Sequence, residues 1–176
     1  MYRLSPLEQK IKNIYEKINI TQPGTFDLDI VAERLKVIVQ YWEKDSKGVE
    51  VLGMGAIILN SQLSKEEQWQ DFSHELGHIL NHVGIQTNVH YLFKELQENQ
   101  ANAFMYHFAV PTFMLRNLAL PATKRETIPH LSNLFHVTYS FAETRLDMYL
   151  RKLFSFKYHA FLTQRLEKEK FVYAEY

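Results

Sequence analysis

A chain of 176 residues, 46% hydrophobic and 14% aromatic, carries enough apolar material for one compact core. Its 20 Lys and Arg balance its 20 Asp and Glu, so no global field draws it onto nucleic acid or an anionic membrane, and any such partner must be met by a local patch. Cysteine is absent, which excludes a disulfide framework, thiolate metal ligands and a thiol nucleophile, and leaves nitrogen and oxygen ligands. The amino terminus has no apolar leader segment, and no uninterrupted apolar run approaches the roughly 20 residues of a spanning helix, so a soluble cytoplasmic protein is expected.

Ser5-Pro6-Leu7-Glu8 reads as a capping box with proline at the first helical position. Leu7, Ile11, Ile14, Tyr15 and Ile18 then recur at helical spacing, predicting an amphipathic first helix. After the Gln22-Pro23-Gly24 break, a short helix from Asp27 to Leu35 feeds LKVIVQYW, whose β-branched and aromatic content predicts a strand. Gly48 to Asn60 predicts one or two more strands, with Leu52, Met54, Ala56 and Ile58 alternating.

Ser64 is an N-cap with Glu67 at the capping-box distance, and the helix it opens is expected to run to about Gly84. A further helix is expected from Tyr91 to Ala109, stopped by Pro111, and three or so helices from Thr123 on, with Pro121 and Pro129 as punctuation. Helices, a small sheet and then more helices make an α+β layout in one domain. Residues 1–120 form its core and 121–176 an appended helical layer.

HELGH occupies residues 74–78, in the middle of the Ser64 helix. Histidines at i and i+4 are neighbours on one helix face, so His74 and His78 can aim ring nitrogens at one metal ion. Glu75 lies beside them without needing to be a ligand, which suits a base acting on water at the metal. Gly77 costs about 1 kcal/mol in a helix interior relative to alanine, so something is expected to pack very close to it. His82 lies eight residues from His74, about 12 Å along the axis, too far to share an ion.

A catalytic zinc takes three protein ligands and keeps an open position. The metzincin pattern is excluded, because Asn81 and Gly84 stand where it requires glycine and histidine. The remaining source is a carboxylate on the Tyr91 helix, where Glu95 and Glu98 are available. Glu98 is preferred because Ala101, Asn102 and Met105 share its face and leave that side compact and non-ionic, and Glu95 is the runner-up. His107, about 180° around from Glu98, should point away.

With these residues the chain resembles the ImmA/IrrE family of metallo-endopeptidases. The resemblance rests on GAIILN at 55–60, DFSHELGHIL at 71–80 and ENQANAFMYHFAVP at 98–111, and covers roughly residues 25 to 150. It implies a zincin-like fold, with a small mixed β-sheet packed on an active-site helix and a mostly helical C-terminal half. It also implies one catalytic Zn2+ held by His74, His78 and Glu98, with Glu75 as base. Met105 departs from the alanine usual there, and Ala109-Val110 from larger residues; both departures concern packing.

The resemblance further implies a protein substrate, a helix-turn-helix repressor of a prophage or mobile element. For the oxyanion or a supporting role the sequence offers Tyr106, Tyr91, His90 and Asn102. IPHLSNLFHVTYSFAETRLDMYL can be drawn as helix, tight turn, helix, with the second starting near Thr138. Its outward face holds Tyr139, Ser140, Glu143 and Thr144, with Arg145 its one basic residue beside Glu143 and Asp147. A helical layer closing the core is therefore expected in preference to a nucleic-acid reader. The alternative is a regulatory or DNA-binding protein that keeps the zincin scaffold without catalysis.

Overall fold

The computed structural model describes residues 2–24, 28–51, 54–81 and 91–173. The expectations placed on His82, His90, Leu52, the Asp27 helix start and the helix end near Gly84 lie outside the described residues. Helix α1 (Pro6–Lys17) opens with the expected reciprocal box, Glu8 N donating to Ser5 Oγ at 3.3 Å and Ser5 N to the Glu8 carboxylate at 2.6 Å. Helix α2 (Leu28–Leu35) leads into β1 (Ile38–Trp42), followed by β2 (Lys47–Val51) and β3 (Met54–Asn60).

The sheet order is β1-β3-β2, with β1 parallel and β2 antiparallel to β3, so the fold is α+β with a small mixed sheet. Among the described residues strand β2 pairs only with β3 and forms one edge. Helix α3 (Lys65–Asn81) is capped by Ser64 and Glu67 as expected and packs on β2 and β3. Helix α4 (Tyr91–Ala109) lies along α3.

The two helices approach closely at Gly77, where an added Cβ would stand 3.2 Å from Phe104 Cβ and 3.3 Å from Ala101 Cα. Behind that contact Phe104 stacks on Phe108 and Phe108 on Tyr15, which joins α1 to the same core. All three rings are fully buried, and burying each large apolar side chain is worth about 1.5–3 kcal/mol.

The C-terminal half differs from expectation in three ways. A four-residue helix α5 (Thr112–Leu115) follows Pro111 directly. Pro129 lies inside α6 (Lys124–Phe135) and does not end it, because the amide it lacks would have met the carbonyl of exposed Arg125, where water can serve instead. Two long helices stand where three or so were expected: α7 runs from Tyr139 to Tyr173 without a glycine or proline to interrupt it. The α6–α7 turn is made by His136 in the left-handed conformation, and Leu131, Phe135, Val137, Phe141 and Leu146 around it are buried in the core.

Candidate metal centre

His74 and His78, one turn apart on α3, bring their Nε2 atoms to 3.1 Å of each other. Glu98 Oε2 reaches across from α4 to 3.4 Å from His74 Nε2 and 3.6 Å from His78 Nε2. Tetrahedral zinc with bonds of about 2.0–2.1 Å separates neighbouring ligand atoms by about 3.4 Å. The three atoms thus outline one face of such a tetrahedron, and the donor set, two imidazoles and a carboxylate, suits zinc. Among the described residues no fourth His, Cys, Asp or Glu joins them. A catalytic zinc held by three protein ligands would keep a fourth position for water or substrate. Glu98 keeps 45% of its side chain exposed and both histidines are partly exposed, so the position is accessible.

Glu75, next to His74 in the chain, turns toward the sheet. Its Oε2 accepts the Gly48 amide of β2 at 2.6 Å. Burial pushes the Glu75 carboxyl above its ordinary value; the Gly48 amide and His74 oppose the rise, and the charges of Asp71 and Glu98 add to it. A carboxylate so placed can take up a proton more readily than a solvated one.

Glu95 is exposed and is not brought to the histidines, so of the two candidate carboxylates only Glu98 meets them. Asn102 is exposed one turn beyond Glu98, and Tyr91 is 70% exposed at the start of α4. Tyr106 is turned to α7, its ring 4.5 Å from that of Phe141, and sits eight residues or about 12 Å along the helix from Glu98. It is not brought to the ligand atoms.

His107 points away from Glu98, as the helical period required, into a second polar cluster that sequence reasoning missed. There the fully buried Glu8 carboxylate accepts from Tyr2 at 2.6 Å, from Thr112 at 2.8 Å, from the Ser5 amide and from Lys152. Burial alone would raise the Glu8 pKa, but these four donors outweigh it and hold the group at about 2. Burial, aided by the charge of Arg145, lowers His107 to about 4.

Arg145, expected on the outward face of α7, is instead wholly buried. Its Nε donates to the Tyr106 and Val110 carbonyls at 3.0 and 3.1 Å and its Nη2 to Thr112 Oγ1 at 2.6 Å, so it caps the C-terminus of α4. The only signal in the sequence was the apolar spacing of Ala142, Leu146 and Tyr149 around it.

An α+β fold with a small mixed sheet, an HExxH helix and a glutamate from the next helix defines a zincin-like class. Within that class the chain belongs to the peptidase M78 family: the family model described as the IrrE N-terminal-like domain matches residues 26–147, close to the span of the resemblance. Two similar proteins come from Bacillus subtilis (strain 168). The phage-like element PBSX protein XkdA is 45% identical over 149 residues, covering 85% of this chain and 75% of that protein. The uncharacterized protein YqaB is 39% identical over 152 residues, covering 86% and 88%. Among solved structures, a Mycobacterium tuberculosis transcriptional regulator superposes with a TM-score of 0.56 at 13% identity, over 77% of this chain and 44% of that one, a likeness of fold alone. Among the described residues no helix is long and apolar enough to cross a membrane.

Proposed function

We propose that this chain is a zinc-dependent endopeptidase that cuts a protein substrate, a helix-turn-helix repressor of a prophage or mobile element. The observation that carries the reading is the triangle of His74 Nε2, His78 Nε2 and Glu98 Oε2, with edges of 3.1–3.6 Å and the Glu75 carboxylate beside it. Membership of a peptidase family supports the reaction class. A relative named for a phage-like element supports the setting.

Zinc bound at this site supplies polarisation of the scissile carbonyl and acidification of water. Gly48 holds one Glu75 oxygen, leaving the other to accept a proton from the attacking water and return it to the departing amine. The outer edge of β2, which no strand among the described residues covers, offers backbone groups for an extended peptide. On the α6–α7 element, Lys124 is bound to Glu143 and Asp147 at 2.9 and 3.0 Å and Arg145 is buried, so neither is free to meet phosphates, and neither lends support to the DNA-binding alternative.

The test is incubation of the purified, zinc-loaded chain with repressors encoded by the same mobile element, with fragments identified by mass spectrometry. Cleavage that a chelator stops, and that Glu75→Gln abolishes while about one zinc per chain remains bound, is expected. Loss of zinc in Glu75→Gln would make Glu75 a ligand and overturn its assignment as base.

A further inference from the structure

Strand β2 is tied to helix α3 at two points. Ser46 Oγ donates to Asp71 Oδ2 at 2.5 Å and itself accepts the Asn60 amide at 3.0 Å, which joins the entry to β2 both to α3 and to the end of β3. Two residues further, the Gly48 amide donates to Glu75 at 2.6 Å. From Ser46 to Gly48 an extended chain advances about 6.8 Å, and from Asp71 to Glu75 a helix advances about 6.0 Å. Strand edge and helix face therefore keep step over this interval, and the two bonds are successive rungs between them.

Glycine at 48 is what permits the approach. A Cβ there would lie 3.1 Å from the Glu75 carbonyl oxygen, 3.3 Å from Glu75 Oε2 and 3.3 Å from Ile79 Cγ1. With the strand this close, a small displacement of its Ser46 end would lengthen the 2.6 Å bond at Gly48.

We propose that Ser46 and Asp71 are positioning residues for Glu75. Their bond anchors β2 so that the Gly48 amide pins Oε2 and leaves Oε1 as the oxygen that exchanges a proton with the reacting groups. The inference rests on the reading of Glu75 as the base. It adds that the base is aimed by the edge strand, through two residues that touch neither metal nor substrate.

The experiment is amide hydrogen exchange at Gly48 in the zinc-loaded full chain. Lys47-Gly48 is the one Lys-Gly pair in the sequence, so carbonyl-13C lysine with 15N glycine isolates its signal. On a strand edge this amide depends on Glu75 for protection, and losing one bond is expected to speed its exchange at least about tenfold. Ser46→Ala and Asp71→Ala should each do so with zinc content unchanged. Asp71→Asn, which still offers an oxygen to Ser46, should stay within about threefold of the parent chain.

Unchanged Gly48 exchange in both alanine variants overturns the proposal. So does an Asp71→Asn chain as impaired as Asp71→Ala, since charge and not the bond would then be at work. None of these readouts needs a substrate: a zinc-loaded parent chain that cuts no repressor counts against the peptidase reading, while the exchange data still decide whether the clamp holds. Where cleavage is measurable, the alanine variants should lose kcat with little change in KM.

Discussion

Replacing Gly77 by alanine sets two effects against each other. Alanine is favoured over glycine in a helix interior by about 1 kcal/mol. Against this, the new Cβ would stand 3.2 Å from both Cβ and Cδ1 of Phe104 and 3.3 Å from Ala101 Cα, inside the usual carbon contact of about 3.5–4.0 Å. Ala101 Cα and Phe104 Cβ are tied to the α4 backbone and cannot swing aside, so relief requires α4 to move by about 0.3 Å or more. Overpacking of this kind costs about 1–3 kcal/mol, which leaves a net loss of about 1 kcal/mol after the helical gain.

Glu98 sits on the same helix, three residues before Ala101, and zinc bonds tolerate only about 0.2 Å of misplacement. Zinc affinity should therefore fall at least about tenfold. Gly77→Val, with two more methyl groups, should be worse on both counts. Urea unfolding of the metal-free chain measures the stability change, and competition with a fluorescent chelator measures the affinity. A Gly77→Ala chain that gains about 1 kcal/mol and binds zinc as before would show that α3 and α4 are not in the contact described, and the argument would fail.

Glu98→Ala should strip zinc from the chain while Glu95→Ala keeps it, as measured by elemental analysis after dialysis; equal loss in both would remove Glu98 from the ligand set. The Glu8 cluster predicts an acid limb in stability. His107 resists protonation down to about pH 4 where an unfolded histidine charges near 6.5, so stability should decline as pH falls from about 6.5 toward 4. Glu8, held at about 2 against an ordinary 4.5, contributes stability above about pH 4.5 that is lost as pH falls toward 2, on the order of 3 kcal/mol in all. In melting curves with chelator present, His107→Gln should flatten the upper part of that decline and Glu8→Gln the lower part; identical profiles would refute the assignment. Duplex DNA should not be retarded by the chain in gel shifts at low salt, because Lys124 is engaged and Arg145 buried. Salt-sensitive retardation would reopen the helix-turn-helix reading.

The features read correctly from the chain alone were those carried by local spacing. The capping boxes at Ser5 and Ser64 and the pairing of His74 with His78 follow from helical geometry over three or four residues. Gly77 announced a close neighbour because glycine in a helix interior is costly. That Glu98 and not Glu95 would meet the two histidines needed only the face that each presents on α4. Pro129 and the undivided length of α7 were misjudged although their residues were in plain view, since a proline in a helix is tolerated where the orphaned carbonyl faces water.

Other features had no local signature. Ser46 meets Asp71 25 positions away, and Glu8 meets Thr112 and Lys152 104 and 144 positions away. Arg145 looked like a surface cation because nothing near it in the chain told of the α4 carbonyls it would cap. Local periodicity determined much of the secondary structure and the pairing of the two histidines, because backbone geometry repeats over a few residues. Burial, and with it the fate of each charge, was decided only when distant segments packed together and polar groups deprived of water had to find partners there.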